Sequence, residues 1–417
     1  MTKFAVLYDA GAVPAGEIGV GLADLGEIVF LVPDDSDHVA QLRPVMEMLG
    51  EVRPLTDPAA DAASVRPDAV LTFSERMIVP AAELAAAAGV PGQSVRTAKL
   101  FIDKGRQRQV LRDARVDPTR TAVAETFDAL PGALAEIGLP VIVKPVTGRS
   151  SRDTYAVRTD DDVREVLAEI GALAEWSPFI VEEFLAGRPS EPFGDYVSVE
   201  SACTPTGITH FVVTGKTPLA PPFRGTGRIW PSHLPEAENQ EVCDMVTRAL
   251  EAVGSDCGYT HTELKLTAAG PRVIEINGRL SAHVNSMAQE SCGVDLVRVG
   301  GLIALGEQPH LPPFDFGGKV HFQYNNIAPV APARLEDVRG GDAVRALPGV
   351  TAYRNFVRPG DELPGGTMKV ELDTLSGVCD GHDEVMRTID AARGSLTFEF
   401  LFADGVRPVN GLDLTNH

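Results

Sequence analysis

The chain has 417 residues, 44% of them hydrophobic and 6% aromatic, with a formal net charge of −21 at pH 7. That is globular composition, with room for two to four domains of ~100–200 residues each. So large an acid excess, without a dense basic patch, argues against nucleic acid and against an anionic membrane surface as partners. No apolar run approaches the ~20 residues of a membrane span. The opening MTKFAVLYDAGAVPAG lacks a basic region followed by an apolar run, so no secretory leader is expected. Cys203, Cys243, Cys257, Cys292 and Cys379 are odd in number and widely spaced. They fit neither a disulfide framework nor a zinc knuckle, and a reducing, cytoplasmic setting is the expectation.

In chain order, Phe4–Tyr8, Glu27–Val32 and Ala69–Phe73 read as buried strands. Amphipathic stretches lie between them, Val39–Leu49 among them, which predicts a parallel α/β unit. Pro80–Ala88 is alanine-rich and helical, and Gly89-Val-Pro91 ends it. Ala98–Ala114 reads as one long helix carrying Lys104, Arg106, Arg108 and Arg112. Leu139–Pro145 and Phe179–Leu185 are short strands, and Val197–Ala202, Thr209–Thr214 and Thr260–Leu266 read as antiparallel strands. Arg272–Asn277 follows the turn Ala269-Gly-Pro271 and closes a hairpin. The Gly- and Pro-rich last hundred residues show short β runs at Gly318–Tyr324, Met368–Leu372 and Leu396–Phe402.

Two nucleotide motifs fail on inspection. Gly215-Lys216-Thr217 ends like a P-loop, but the glycine required five residues earlier is His210. Gly19-Val-Gly21 requires a glycine at position 24, which is Asp24.

A third arrangement carries chemistry. Glu275 and Asn277 are two apart on one strand and project to one face. Glu263 lies on the preceding strand of the hairpin. Three oxygen ligands on one sheet face suit Mg²⁺ or Mn²⁺ with positions left open for phosphate and water. The bland alternative is a solvated strand face with scattered acids. Arg279 offers a fork to phosphate or carboxylate oxygens. Lys144, ending a buried β-branched run, either snorkels at the sheet edge or reaches across a cleft to phosphate. The loop Thr147–Ser151 either covers a phosphate with N–H groups and hydroxyls or is a plain turn.

Placed in order, Asp103-Lys104, Val-Ile-Val-Lys144-Pro, the small-residue loop, Val181–Leu185 and Glu263 … Glu275-Ile-Asn-Gly-Arg279 resemble the ATP-grasp superfamily. Together with Thr72–Glu75 and Val90-Pro-Gly92, they are similar to carboxylate–amine ligases, nearest to the L-amino-acid ligases that make dipeptides. The resemblance implies an α/β (α+β) ATP-grasp fold. It would comprise a Rossmann-like pre-grasp domain at 1–95, a two-lobed ATP-grasp core at 96–318 and a small β-rich C-terminal domain at 319–417. Within the core, a lid lobe spans about 110–185 and a metal-binding catalytic lobe about 186–318.

The resemblance also implies roles. Lys104 and Lys144 contact ATP phosphates; Gly148, Ser150 and Ser151 form the lid; Glu182, Glu183, Phe184 and Leu185 receive the adenine. Glu263, Glu275 and Asn277 hold Mg²⁺, two ions bridged by Glu275. Arg279, with Lys216 and Arg228, neutralises the transferring phosphoryl group. Apart from the resemblance, Glu75 after the strand Ala69–Phe73 either holds the ammonium of an amino-acid substrate or caps the next helix, and His283 beside the metal-ligand strands is either a substrate contact or a packed side chain. Asp195 stands where the family's ribose-binding acid is expected, after an insertion at 187–194. Arg149 and Arg152 replace small lid residues, and Asn277-Gly-Arg279 replaces the family's Asn-Pro-Arg. The implied activity is amide formation from a small carboxylic acid or amino acid and an amine, through an acyl-phosphate, releasing ADP and phosphate. The implied partners are therefore ATP and two small molecules, and a homodimer is compatible. An ATP-grasp carboxylase and a non-catalytic ATP-binding sensor are the alternatives. Of the remaining residues, His261 and Trp230 read as packed side chains and the cysteines as inert.

Overall fold

A computed structural model describes all residues except 149, 150, 310, 312, 313 and 417. The described strands form four sheets. The first has the order Glu51–Pro54, Glu27–Val32, Lys3–Leu7, Ala69–Leu71, and all its pairings are parallel. Its two central strands are continuous apolar runs because helices cover both faces. The chain reverses its direction of winding beside Lys3–Leu7, so the loops after the strands converge there. Asp9 in that crevice accepts from Ser36 Oγ at 2.6 Å and pairs with Arg76 at 3.2 Å. This fixes the turn that carries Glu75.

The second sheet has the order Thr121–Ala124, Phe179–Glu183, Val141–Pro145, Tyr155–Val157 and is antiparallel. The third has eight antiparallel strands: Gly270–Asn277, Gly258–Thr267, Tyr196–Thr204, Gly207–Lys216, Gly227–Trp230, Val320–Tyr324, Asp373–Cys379 and Val350–Asn355. It runs without a break from the metal-ligand candidates into the C-terminal quarter of the chain. The fourth sheet joins Glu362–Leu363, Ala333–Arg339, Thr397–Phe402 and Gly405–Asn410, backed by the helix His382–Ser395.

Two expectations are corrected. Ala98–Ala114 is not one helix: Val95–Ile102 and Lys104–Asp113 meet at Asp103. Asp103 is extended (φ −118°, ψ 96°) and its Oδ1 accepts from Arg106 N at 2.9 Å, so the acid starts a second helix instead of continuing the first. Met368–Leu372 is not a strand; Glu371 makes a single bridge to Ile327, and the strand is Asp373–Cys379. That strand is written in small and polar residues (DTLSGVC). Its interior position, with neighbours on both sides, supplies what propensity does not. Among the described residues no helix is long and apolar enough to cross a membrane.

Candidate active site

The metal-ligand candidates are placed by register. Glu263 lies directly opposite Glu275, and His261 opposite Asn277, so all four side chains share one face. Asn277 Nδ2 donates to Glu275 Oε1 at 3.0 Å. Burial raises the affinity of Glu263 for a proton, yet its pKa sits at about 2. The hydrogen bond from His261, followed by the charges of Lys216 and Arg279, outweighs desolvation. Glu275 is also held below the usual range: burial and the charge of Glu263 push it up, and Lys104 and Lys144 overcome them. Two ionised carboxylates facing each other, with an amide oxygen beside them, make a hard-oxygen site short of positive charge. Among the described residues no three His, Cys, Asp or Glu side chains gather to hold a metal unaided. The Asn277 amide oxygen could serve as a third donor, and such an all-oxygen set would suit Mg²⁺ or Mn²⁺ better than a softer ion.

His261 is clamped between acids. Its Nδ1 lies 2.5 Å from Glu200 Oε1 and its Nε2 3.2 Å from Glu263 Oε1. Burial lowers its pKa and Glu200 more than reverses that, so the ring is held protonated more tightly than usual. Glu200 Oε2 also accepts from Ser281 N at 3.1 Å, which fixes the loop after Arg279.

A cleft of about 1030 Å³, counting its open side, separates the second sheet from the third. Its apolar lining includes Ile142, Phe184, Leu185 and Ile274, and its charged lining includes Lys104, Lys144, Glu263 and Glu275. Lys104 Nζ donates to Gly148 O at 2.8 Å and lies 3.5 Å from Glu275 Oε2. Lys144 Nζ lies 2.7 Å from Glu182 Oε2, and Arg108 Nε 2.6 Å from Glu182 Oε1. Burial raises the Glu182 carboxyl, but the two cations bring it down to about 2. The N–H groups of Glu183 and Phe184 are taken by Arg120 O (3.0 Å) and Pro140 O (3.1 Å). The Phe184 ring lies under the Arg158 guanidinium at 5.2 Å. Ser151 Oγ donates to Phe223 O at 2.8 Å, joining two loops that both line the cleft; Ser150 lies outside the described residues.

A second pocket of about 940 Å³ adjoins the first and shares Ser151, Tyr196, Leu219, Phe223, Glu263 and Glu275 with it. Lys216, Arg228, Arg279 and Lys369 line it. The Lys216 ammonium has no hydrogen-bonded or ion-paired partner among the described residues. Its pKa falls to about 8 through burial and then the charge of Arg228. Arg228 Nη1 donates to Ala282 O. Arg279 Nη2 donates to Glu75 Oε2 at 2.6 Å, which ties the first sheet's loop to the metal hairpin.

Three named residues line neither pocket: Glu75, which is held by Arg279, Asp195 and His283. Asp195 is bound to Lys265 at 2.6 Å, while its neighbour Tyr196 lines the cleft. His283 contacts Glu371 at 3.4 Å and stacks on Phe356. Glu371 also pairs with Lys369 at 2.7 Å and is held well below the usual carboxylate range: burial raises it, and His283 and Lys369 outweigh that. Sequence reasoning gave no role to Arg108, Glu200 or Lys369. The spacing of Arg108, one helical turn after Lys104, is a signal that could have found it. Lys369 is a hundred residues downstream of the motifs and had none.

Residues 137–287 match the ATP-grasp domain family. The crystal structure of an L-amino acid ligase from Bacillus licheniformis superposes with a TM-score of 0.75 at 20% identity, covering 95% of this chain and 98% of that one. In sequence the chain is 32% identical over 287 residues to an uncharacterized Sinorhizobium fredii protein, covering 66% of this chain and 56% of that protein. It is 31% identical over 214 residues to the alanine–anticapsin ligase of Bacillus subtilis, covering 48% of this chain and 45% of that enzyme. The chain thus spans about half the length of these curated relatives.

Proposed function

We propose that the chain is an ATP-dependent carboxylate–amine ligase that forms an amide bond through an acyl-phosphate. One observation carries this reading: the cleft and the cationic pocket share a wall that contains the facing pair Glu263 and Glu275. A nucleotide lying in the cleft with its base at Phe184 and Leu185 would present its γ-phosphate at that wall. A carboxylate in the second pocket would meet it there. The names of the alanine–anticapsin ligase and the L-amino acid ligase support the same reading.

The residues divide the work. With the N–H groups of Glu183 and Phe184 already bonded, a base is left Leu185 and the strand carbonyls to bind. Lys104 and Lys144 border the phosphate path. Glu263, Glu275 and Asn277 would hold Mg²⁺ or Mn²⁺, which when bound draws charge from the phosphate oxygens. A carboxylate oxygen attacks the γ-phosphorus, the bond to ADP breaks, and an acyl-phosphate forms. Arg279, Lys216 and Arg228 surround the place where negative charge accumulates, in a site where charges act strongly. An amine then attacks the acyl carbon; phosphate leaves and takes up the proton the nitrogen sheds. Ser151, bonded to the 218–227 loop, helps keep water from the acyl-phosphate. Lys369 brings residues 319–417 into the site, so that region is read as part of the substrate pocket.

The test is ATP with a panel of amino acids and small acids and amines, followed by phosphate release and product mass. Phosphate release that requires one carboxylate and one amine, with an amide product, is expected. ATP turnover with bicarbonate alone would favour a carboxylase. Nucleotide binding with no turnover on any pair would favour a sensor.

A further inference from the structure

The strand Gly270–Asn277, which carries Glu275 and Asn277, is the outer strand of the eight-stranded sheet, so among the described residues no strand pairs with its far edge. Side chains from the helix Lys104–Asp113 and the loop after it take the place of that strand. Gln107 Nε2 donates to Ile276 O at 2.8 Å, and Gln107 Oε1 accepts from Ile276 N at 2.8 Å. Arg108 donates to Val273 O through Nη1 and to Ile274 O at 3.0 Å through Nη2. Asp117 Oδ2 accepts from Val273 N at 2.8 Å. The remaining guanidinium nitrogen of Arg108 binds Glu182 at 2.6 Å, in the strand that leads to Phe184 and Leu185. Arg108 is 4% exposed and has all three nitrogens engaged.

We propose that Arg108 is a positioning residue that couples the adenine end of the cleft to the metal end. Its guanidinium is a rigid plane with donors in fixed directions. One edge grips the strand before Phe184 and the other grips the two carbonyls immediately before Glu275. A shift of Glu182 when a base docks beside it cannot occur without moving the guanidinium, and with it the backbone that aims Glu275. Burial leaves the group no water to replace a broken bond. Lys104, one turn earlier on the helix, touches Glu275 and Gly148 but not Glu182, so it cannot carry this coupling. The inference rests on the reading of the cleft as a nucleotide site.

The experiment measures the Mn²⁺ dissociation constant of the full chain with and without saturating adenosine. Adenosine has no phosphates, so any effect on Mn²⁺ must pass through the protein. In the unaltered protein adenosine is expected to tighten Mn²⁺ binding by at least ~5-fold, the low end of ordinary coupling between sites. In Arg108→Lys and Arg108→Met the ratio should fall to about one, within the same scale of coupling. Each ligand should still bind alone, since the groups that contact it remain. A ratio of one in the unaltered protein, or an unchanged ratio in Arg108→Lys, overturns the proposal. If Arg108→Met fails to fold, the lysine variant and the unaltered protein still decide the matter. Should the unaltered protein bind neither adenosine nor a non-hydrolysable ATP analogue, the nucleotide-site reading falls first, and the coupling with it.

Discussion

Replacing Lys216 with methionine removes an ammonium that is 7% exposed and bonded to nothing among the described residues. Its pKa of about 8, against an ordinary 10.5, records the net penalty for holding that charge in the pocket. At about 1.4 kcal/mol per tenfold change, the gap corresponds to ~3 kcal/mol. The favourable pull of Glu263 and Glu200 is already included in that figure, since both act on the same titration. The sign follows from proton binding. Below pH 8 the lysine is charged whether the chain is folded or unfolded, and the folded chain bears the whole penalty. Between pH 8 and 10.5 the folded chain gives up the proton while the unfolded chain keeps it, so stability from this group rises with pH. Lys216→Met should therefore unfold at a higher temperature than the unaltered protein at pH 7. The difference should shrink as pH rises toward 10. Paired thermal melts at pH 7 and pH 10 read both effects. A variant that melts at the same or a lower temperature at pH 7 would refute the claim that this charge is held against stability. The same variant should turn over more slowly, which is what a charge kept for function and not for folding predicts.

Three further outcomes follow from named contacts. Glu275→Gln keeps the shape of the side chain but removes its charge, and should weaken Mn²⁺ by at least ~10-fold, the scale of losing a metal-site partner; calorimetry with Mn²⁺ reads this, and an unchanged affinity would remove Glu275 from the metal set. Arg279→Lys loses the planar fork that reaches Glu75 and Leu280 O together. Turnover should drop ~10²-fold, on the scale of losing one transition-state charge donor, with little change in nucleotide affinity by fluorescence titration. Asp103→Ala removes the cap that starts the helix bearing Lys104 and Arg108. It should lower stability by about 1 kcal/mol in urea unfolding and weaken nucleotide binding; loss of stability with binding unchanged would separate that helix from the cleft.

The hairpin that carries Glu263, Glu275 and Asn277 was legible because its information is local. A turn at 269–271 and a two-residue spacing fix which face Glu275 and Asn277 share, and register then places Glu263 opposite. The parallel N-terminal sheet was legible for the same reason: its strands are buried on both faces and written as unbroken apolar runs. The break at Asp103 lay hidden because helical segments flank it on both sides. Only the capping bond to Arg106 N shows that a second helix begins there. Strands such as Asp373–Cys379 and Gly227–Trp230 owe their state to neighbours far away in sequence, and their own residues do not announce it. The reach of Lys369 into the pocket depends on that long-range pairing and was invisible for the same reason.

The acid excess also takes on a local meaning. Cations lining the two pockets are mostly held to acids: Lys104 to Glu275, Lys144 to Glu182, Arg279 to Glu75, Lys369 to Glu371. A phosphate chain entering such a site competes with carboxylates for the same ammonium and guanidinium groups. The pairs differ in how readily they yield. Glu182 is gripped from two sides by Arg108 and Lys144, so Lys144 could turn to a phosphate without stranding a buried charge. Lys104 and Glu275 are 3.5 Å apart, longer than a direct bond. If Glu275 turns to a divalent cation, Lys104 is left for a phosphate oxygen and both charges remain paired. On the proposed reading, a chain of net charge −21 would hold a polyphosphate because its acids keep the cations in place until the nucleotide and its metal exchange partners with them.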